Sequence, residues 1–279
     1  MDPAPEVRSS AVAGSFYPSG PEALRAEIQS YLDKVVVDRS EKDIVAVVAP
    51  HAGYRYSGPV AAYAYRQVQD KPYETVAVIS PSHSVPFSFS SVFSGTGYET
   101  PLGVVPVDQE VVQAIDNHPA EDVRASDVGH LNSNEHSLEV QLPFLQVVLD
   151  EFKLVPVVMG SQSRTSCASL GEALGAVLEG KPALIVASSD LSHFHNQSLA
   201  RELDEQVIAS IDCFDPDRLL RDITERKTEA CGAGPIAAAM AAARLLGAKT
   251  GENLFYSTSG DTSGDYSQVV GYTAGIFYR

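Results

Sequence analysis

The chain has 279 residues, 44% of them hydrophobic, which excludes a mostly disordered polypeptide and leaves room for a sizeable core. Its 36 acidic residues against 20 basic ones give a net charge of −16, with no clustered Lys and Arg. That balance argues against nucleic acid and against an anionic membrane surface as partners. No apolar run approaches the about 18 residues of a membrane span. The N-terminus lacks a basic head and an apolar core, so it does not read as a secretory signal. Three widely spaced cysteines, Cys167, Cys213 and Cys231, do not form a disulfide framework, and a reducing cytoplasm is the expected compartment.

In chain order, the patterning predicts a helix over Pro21–Lys34, a strand over Asp43–Val48, a helix over Pro59–Gln69 and a strand over Thr75–Ile79. A strand over Ser91–Ser94 follows, then helices over Asp108–Asn117 and Glu135–Leu149. Next come a strand over Lys153–Val158, a helix over Arg164–Glu179 and a strand over Ala183–Ala187. Helices over Ala200–Ile211, Asp215–Arg226 and Pro235–Leu246 precede strands over Asn253–Thr258 and Val269–Phe277. Pro59 and Pro235 fall where a helix start tolerates a missing N–H. Asn134 and Glu135 read as the start of the Glu135–Leu149 helix. Ser257–Gly264 reads as a solvated loop. Continuous apolar strands alternating with helices predict one α/β domain over residues 1–279, with a central mixed or largely parallel sheet and helices on both faces.

The reactive residues fall at strand ends. Ile44–Val48 runs into Ala-Pro-His51, Val76–Ile79 into Ser-Pro-Ser-His83, and Ala183–Ala187 into Ser-Ser-Asp190-Leu-Ser-His193. In open α/β sheets, ligands bind beyond the carboxyl ends of the strands. If these three strands are parallel neighbours, the four side chains converge, and Asp190 orients His193 as an acid–base group. Cys231 precedes the alanine-rich helix, where the helix dipole and unpaired N–H groups favour a thiolate. A buried residue in a tight turn is the competing reading of Cys231. Two His and a thiolate suit Zn, Fe or Cu. His136 and Glu135 are further pocket candidates, and His130 lies in the loop just before them. No GxSxG, Walker or GxGxxG motif is present.

Several segments together resemble the Memo family, called AmmeMemoRadiSam system protein B in prokaryotes. They are Ala11–Pro18, Pro50-His-Ala-Gly-Tyr54 with Tyr56-Ser-Gly58, Ser80-Pro-Ser-His83, Glu135–Phe144, Ser188–His193 and Cys231-Gly232. The resemblance runs from about residue 8 to the C-terminus. It implies a fold similar to the class III extradiol ring-cleavage dioxygenases. It also implies a metal pocket with His51, His83 and Cys231 as ligands and Asp190 and His193 as the catalytic pair, with Tyr54 a further pocket candidate. The implied cofactor is Fe or Cu, with Zn as an alternative, in a redox-related role with a small-molecule substrate. A functional link to a radical SAM protein follows from the family name. The competing functions are a non-catalytic peptide- or protein-binding module built on the same pocket, and a cysteine nucleophile at Cys231 with His193 as base.

Overall fold

The computed structural model describes residues 6–36, 42–131 and 133–279. Its strands and helices, in chain order, begin with β1 (Val7–Arg8), α1 (Pro21–Leu32), β2 (Ile44–Ala49), α2 (Tyr54–Val68) and β3 (Thr75–Pro81). They continue with β4 (Ser90–Val92), β5 (Gly97–Thr100), β6 (Gly103–Pro106), α3 (Gln109–Asp116) and β7 (Val123–Ala125). Next are α4 (Leu142–Val148), β8 (Lys153–Met159), α5 (Arg164–Val177), β9 (Ala183–Ser188) and β10 (His193–His195). The chain ends with α6 (Gln197–Asp212), α7 (Pro216–Thr224), α8 (Ala233–Leu245), β11 (Thr250–Thr258), α9 (Ser259–Ser263) and β12 (Val269–Tyr278).

The main sheet is mixed and runs β10-β12-β2-β9-β3-β8-β4-β7, with β11 paired to β12. Its centre is parallel. β2 pairs with β9 through Ala49 and Ser188, and β9 pairs with β3 through Ala187 and Ile79. The three strands expected to carry the reactive residues are therefore parallel neighbours. Every residue of β2 and β3 is buried, so both faces of the sheet are covered there. α8 packs against β9, β2 and β3, and α2 against β2, β12 and β11. The alanines of α8 let it lie close to the sheet and to α5, whose Gly171 sits where a Cβ would come within 2.5 Å of Ala241 Cβ. A small second sheet joins β1, β5 and β6. Among the described residues, no helix is long and apolar enough to cross a membrane.

Three expectations need correction. The helix over Glu135–Leu149 is only a 3-10 turn at Glu139–Gln141 followed by α4. The Glu135 carboxylate accepts hydrogen bonds from the backbone N–H groups of His136 and Ser137, both at 3.0 Å, which fixes a local turn in place of a first helical turn. α2 begins at Tyr54, so Pro59 lies inside the helix instead of opening it. The Tyr54 N–H donates to Phe16 O at 2.8 Å and its hydroxyl to Val140 O at 2.7 Å, which draws the chain into the core early. The loop over Ser257–Gly264 contains α9, started by a capping box between Thr258 and Asp261.

The N-terminal segment is fastened to the 135–141 segment by one buried carboxylate. Glu139 Oε2 accepts from Arg8 Nη1 at 2.8 Å and from Ala11 N–H at 2.7 Å. Its Oε1 accepts from Val12 N–H at 3.0 Å and from the Tyr17 hydroxyl at 2.6 Å. Arg8 also donates to His130 O at 2.7 Å and to Glu135 O. Removing one partner of a buried pair leaves the other charged and unpaired. Glu139→Ala is therefore expected to cost about 3–5 kcal/mol in urea unfolding. A loss below about 1 kcal/mol would show that this carboxylate does not fasten the segment.

Candidate metal centre

His51, His83 and Asp190 each follow the last residue of their strand by two positions, after Ala49, Pro81 and Ser188. In-register parallel strands therefore deliver them to one rim of the sheet. His136 arrives from the turn that Glu135 fixes. One ring nitrogen from each of His51, His83 and His136 lies within 4.8 Å of the others. The His83 and His136 rings stack at 5.1 Å between centroids, and both meet the His51 ring edge-on. Phe16 covers His136 at 4.8 Å. His51 is buried, whereas the side chains of His83 and His136 keep 33% and 22% of their surface exposed, so the cluster opens on their side.

The tautomers follow from the hydrogen bonds. The Ser188 hydroxyl donates to Ser137 O at 2.6 Å and accepts from Gln141 Nε2 at 2.7 Å. Its only proton is thus committed, and its 2.9 Å contact with His51 Nδ1 requires that nitrogen to donate. Neutral His51 then presents an unprotonated Nε2. His83 Nδ1 donates to Glu135 Oε1 at 3.1 Å, which likewise leaves Nε2 free. Metal-binding imidazoles are typically held in this way, by a carboxylate or hydroxyl on the far nitrogen.

Glu135 is the hub of the site. It accepts from the His83 N–H, the His83 ring, the His136 and Ser137 N–H groups, and the Ser137 hydroxyl at 2.7 Å. Burial pushes its pKa up, but the bonds from His83 and Ser137 outweigh this and hold it well below the usual carboxylate range. The Glu135 hydrogen bond raises the His83 pKa above its ordinary value. Burial first, then the neighbouring imidazoles, push His51 well down. Burial also lowers His136.

The expected third ligand, Cys231, is not a member of this cluster, where His136 stands with His51 and His83; its Sγ lies 3.2 Å from His51 Nε2. Asp190 N–H donates to the same sulfur at 3.2 Å. In the metal-free protein, the surroundings of Cys231 suit the buried-residue reading over the thiolate one. Burial and the Asp190 carboxylate push the thiol pKa well up, outweighing its hydrogen bonds. The sulfur contacts the His51 ring, not His193, which does not suit a nucleophile activated by His193.

Asp190 Oδ1 accepts from His51 N–H at 2.8 Å and so ties two strand ends together. The contact that orients His193 is also corrected. His193 Nδ1 donates to Leu191 O at 2.8 Å, so a backbone carbonyl, and not Asp190, fixes the ring and leaves Nε2 without this bond. The 190–193 loop is itself clamped. Leu191 N–H donates to Gly271 O at 2.8 Å, Gly271 N–H to Ser192 O at 3.0 Å, and Ser192 N–H to Asp204 Oδ1 at 2.9 Å. A Cβ at Gly271 would lie 1.8 Å from Asp204 Oδ2, so only glycine permits this approach.

Two candidates lie away from the cluster. His130 is buried, with Nε2 donating to Ser91 O at 3.0 Å and Nδ1 accepting from the Tyr98 hydroxyl. Burial lowers its pKa to about 3, as suits a neutral core histidine. Tyr54 is buried against Tyr17 and Phe144. The supports at Ser188, Gln141, Ser137 and Asp204 were not singled out from sequence. The first three lie inside the quoted motifs, which was the available signal, whereas Asp204 sits mid-helix with none.

An α/β sheet with three imidazoles gathered at its strand ends defines the class of protein. The family profile described as Memo-like protein matches residues 8–276. A MEMO1 family protein of Methanothermobacter thermautotrophicus is 39% identical, covering 95% of this chain and 98% of its own. Those of Methanopyrus kandleri and Aquifex aeolicus are each 38% identical, covering 98% and 97% of this chain and 99% of their own. The chain belongs to the Memo family.

The raised His83 pKa gives a signed expectation. In the metal-free protein, the His83–Glu135 contact contributes its full stability below the unfolded histidine value of about 6.5. That contribution is lost as pH rises through the higher folded value. In an NMR titration, His83 should inflect above that unfolded value and His51 and His136 below it. Glu135→Gln should move the His83 inflection down. An unchanged inflection in that variant would remove Glu135 as the cause.

Proposed function

We propose that this protein binds a redox-active transition-metal ion, iron or copper, at the strand-end cluster. The carrying observation is that His51 and His83 each commit Nδ1 to a buried partner, while a ring nitrogen of each lies within 4.8 Å of the other and of His136. A metal about 2.1 Å from each nitrogen needs them about 3.4 Å apart. Small ring rotations from the present spacing meet that need. His51, His83 and His136 would hold the ion, with Cys231 in reach as a thiolate donor beside His51. Imidazole and thiolate donors suit iron, copper and zinc better than calcium or magnesium. When bound, iron or copper would supply one-electron chemistry and an open coordination position.

The protein's own groups would do the rest. Glu135 and Ser188 hold the imidazoles, and Asp190 keeps the His51 backbone in register with β9. His193 Nε2 accepts or returns a proton beside Cys231. The expected likeness to class III extradiol enzymes is supported by this same placement of ligands and base at adjacent strand ends.

Metal uptake requires neutral His83 and, for sulfur ligation, loss of the Cys231 proton. Affinity for Fe(II) or Cu(I) is therefore expected to rise with pH through the His83 titration. In anaerobic metal-content and competition measurements, His51→Ala and His83→Ala should each lose at least about 100-fold in affinity, and Glu135→Gln about 10–100-fold. His136→Ala and Cys231→Ser, measured side by side, report which of the two completes the ligand set. Wild-type affinity in both His51→Ala and His83→Ala, or no stoichiometric uptake by wild type, would sink the reading.

A further inference from the structure

Beside the cluster lies a cavity of about 520 Å³, within the size range of small-molecule sites. Cys231, His193 and the exposed Arg226 line it, and Ile223 and Ala230 supply apolar lining. Arg226 follows α7 in the left-handed region, at φ 55°, a conformation that favours glycine and strains other residues. Its N–H donates to Ile223 O at 3.1 Å, which closes the helix end and fixes the backbone from which the side chain departs.

The Arg226 guanidinium is exposed, and it has no hydrogen-bond or ion-pair partner among the described residues. The neighbouring acids are already engaged. Asp222 faces Arg218, Arg221 and Lys227, and Glu225 pairs with Lys227 at 2.5 Å. Glu229, which also lines the cavity, pairs with His195 Nε2 at 3.0 Å. A guanidinium without a protein partner, beside a cavity that also has apolar lining, is free to take an anion.

We propose that this cavity binds a small organic carboxylate, its carboxylate held by Arg226 and its apolar body against Ile223 and Ala230. The planar guanidinium fork matches a carboxylate in two parallel hydrogen bonds. A single arginine with Glu229 nearby favours a monoanion over a phosphate dianion. The far end of such a molecule would reach His193 Nε2 and Cys231 at the edge of the cluster. The assignment names the substrate class of the proposed metal centre and rests on that reading for its chemical meaning, but binding itself needs no metal.

The test is a benzoate titration of the metal-free full chain, followed by the His193 ring resonance. Benzamide and inorganic phosphate serve as comparison probes. Benzoate should saturate with a Kd at or below about 1 mM. Binding should weaken at least about tenfold in Arg226→Gln, with partial recovery in Arg226→Lys. Benzamide should bind at least about tenfold more weakly than benzoate. Equal benzoate affinity in wild type and Arg226→Gln, or no saturation of wild type, overturns the site. Phosphate binding as tight as benzoate overturns the carboxylate assignment. Because the titration is metal-free, its failure is separate from failure of metal uptake by His51→Ala and His83→Ala.

Discussion

The Glu135 carboxylate is the constraint on which the site depends. It gathers backbone and side-chain donors from two segments far apart in sequence, the end of β3 and the turn before α4. Burying such a group is costly unless its lone pairs are filled, and here five donors fill them. The same bonds set the orientation of His83 and bring His136 onto its ring face. An apolar residue at 135 would remove at once the turn, the His83 tautomer and the delivery of His136.

Four residues after Glu135 the chain has a second buried carboxylate, Glu139, and it works on a different boundary. Glu139 and Arg8 secure the N-terminal segment, including Phe16, whose ring covers His136. Buried ion pairs are weak evidence for net stability, because desolvation offsets much of the attraction. What this pair supplies is a fixed position. Arg8 also donates to the Glu135 carbonyl, so the two carboxylates brace one short stretch of chain from both sides.

The strand ends were legible because parallel sheets impose a simple rule. Buried strands read as continuous apolar runs, and His51, His83 and Asp190 each follow such a run. Residues 135–149 were harder. Their amphipathic spacing suits a helix, and nothing local reveals that Glu135 will turn back onto its own backbone and onto His83, 52 residues earlier. The same long-range contact explains why His136 stood out less than Cys231 in the sequence. The orientation of His193 by the Leu191 carbonyl was equally invisible, because a backbone acceptor leaves no trace in residue type.

The proton placements then give the site a common logic. His51, His83 and His193 each donate from Nδ1, to a hydroxyl, a carboxylate and a backbone carbonyl respectively. Each therefore presents Nε2, although the three partners differ in charge. The partners grade the outcome. The carboxylate raises the proton affinity of His83, while burial lowers that of His51. In the metal-free protein, a proton therefore favours the more exposed His83 over the buried His51 beside Cys231. Under the proposed metal-binding function, a cation entering from the open side would have to displace that outer proton before reaching the buried imidazole and the thiol, so that entry would be governed by the group nearest solvent and retention by the groups behind it.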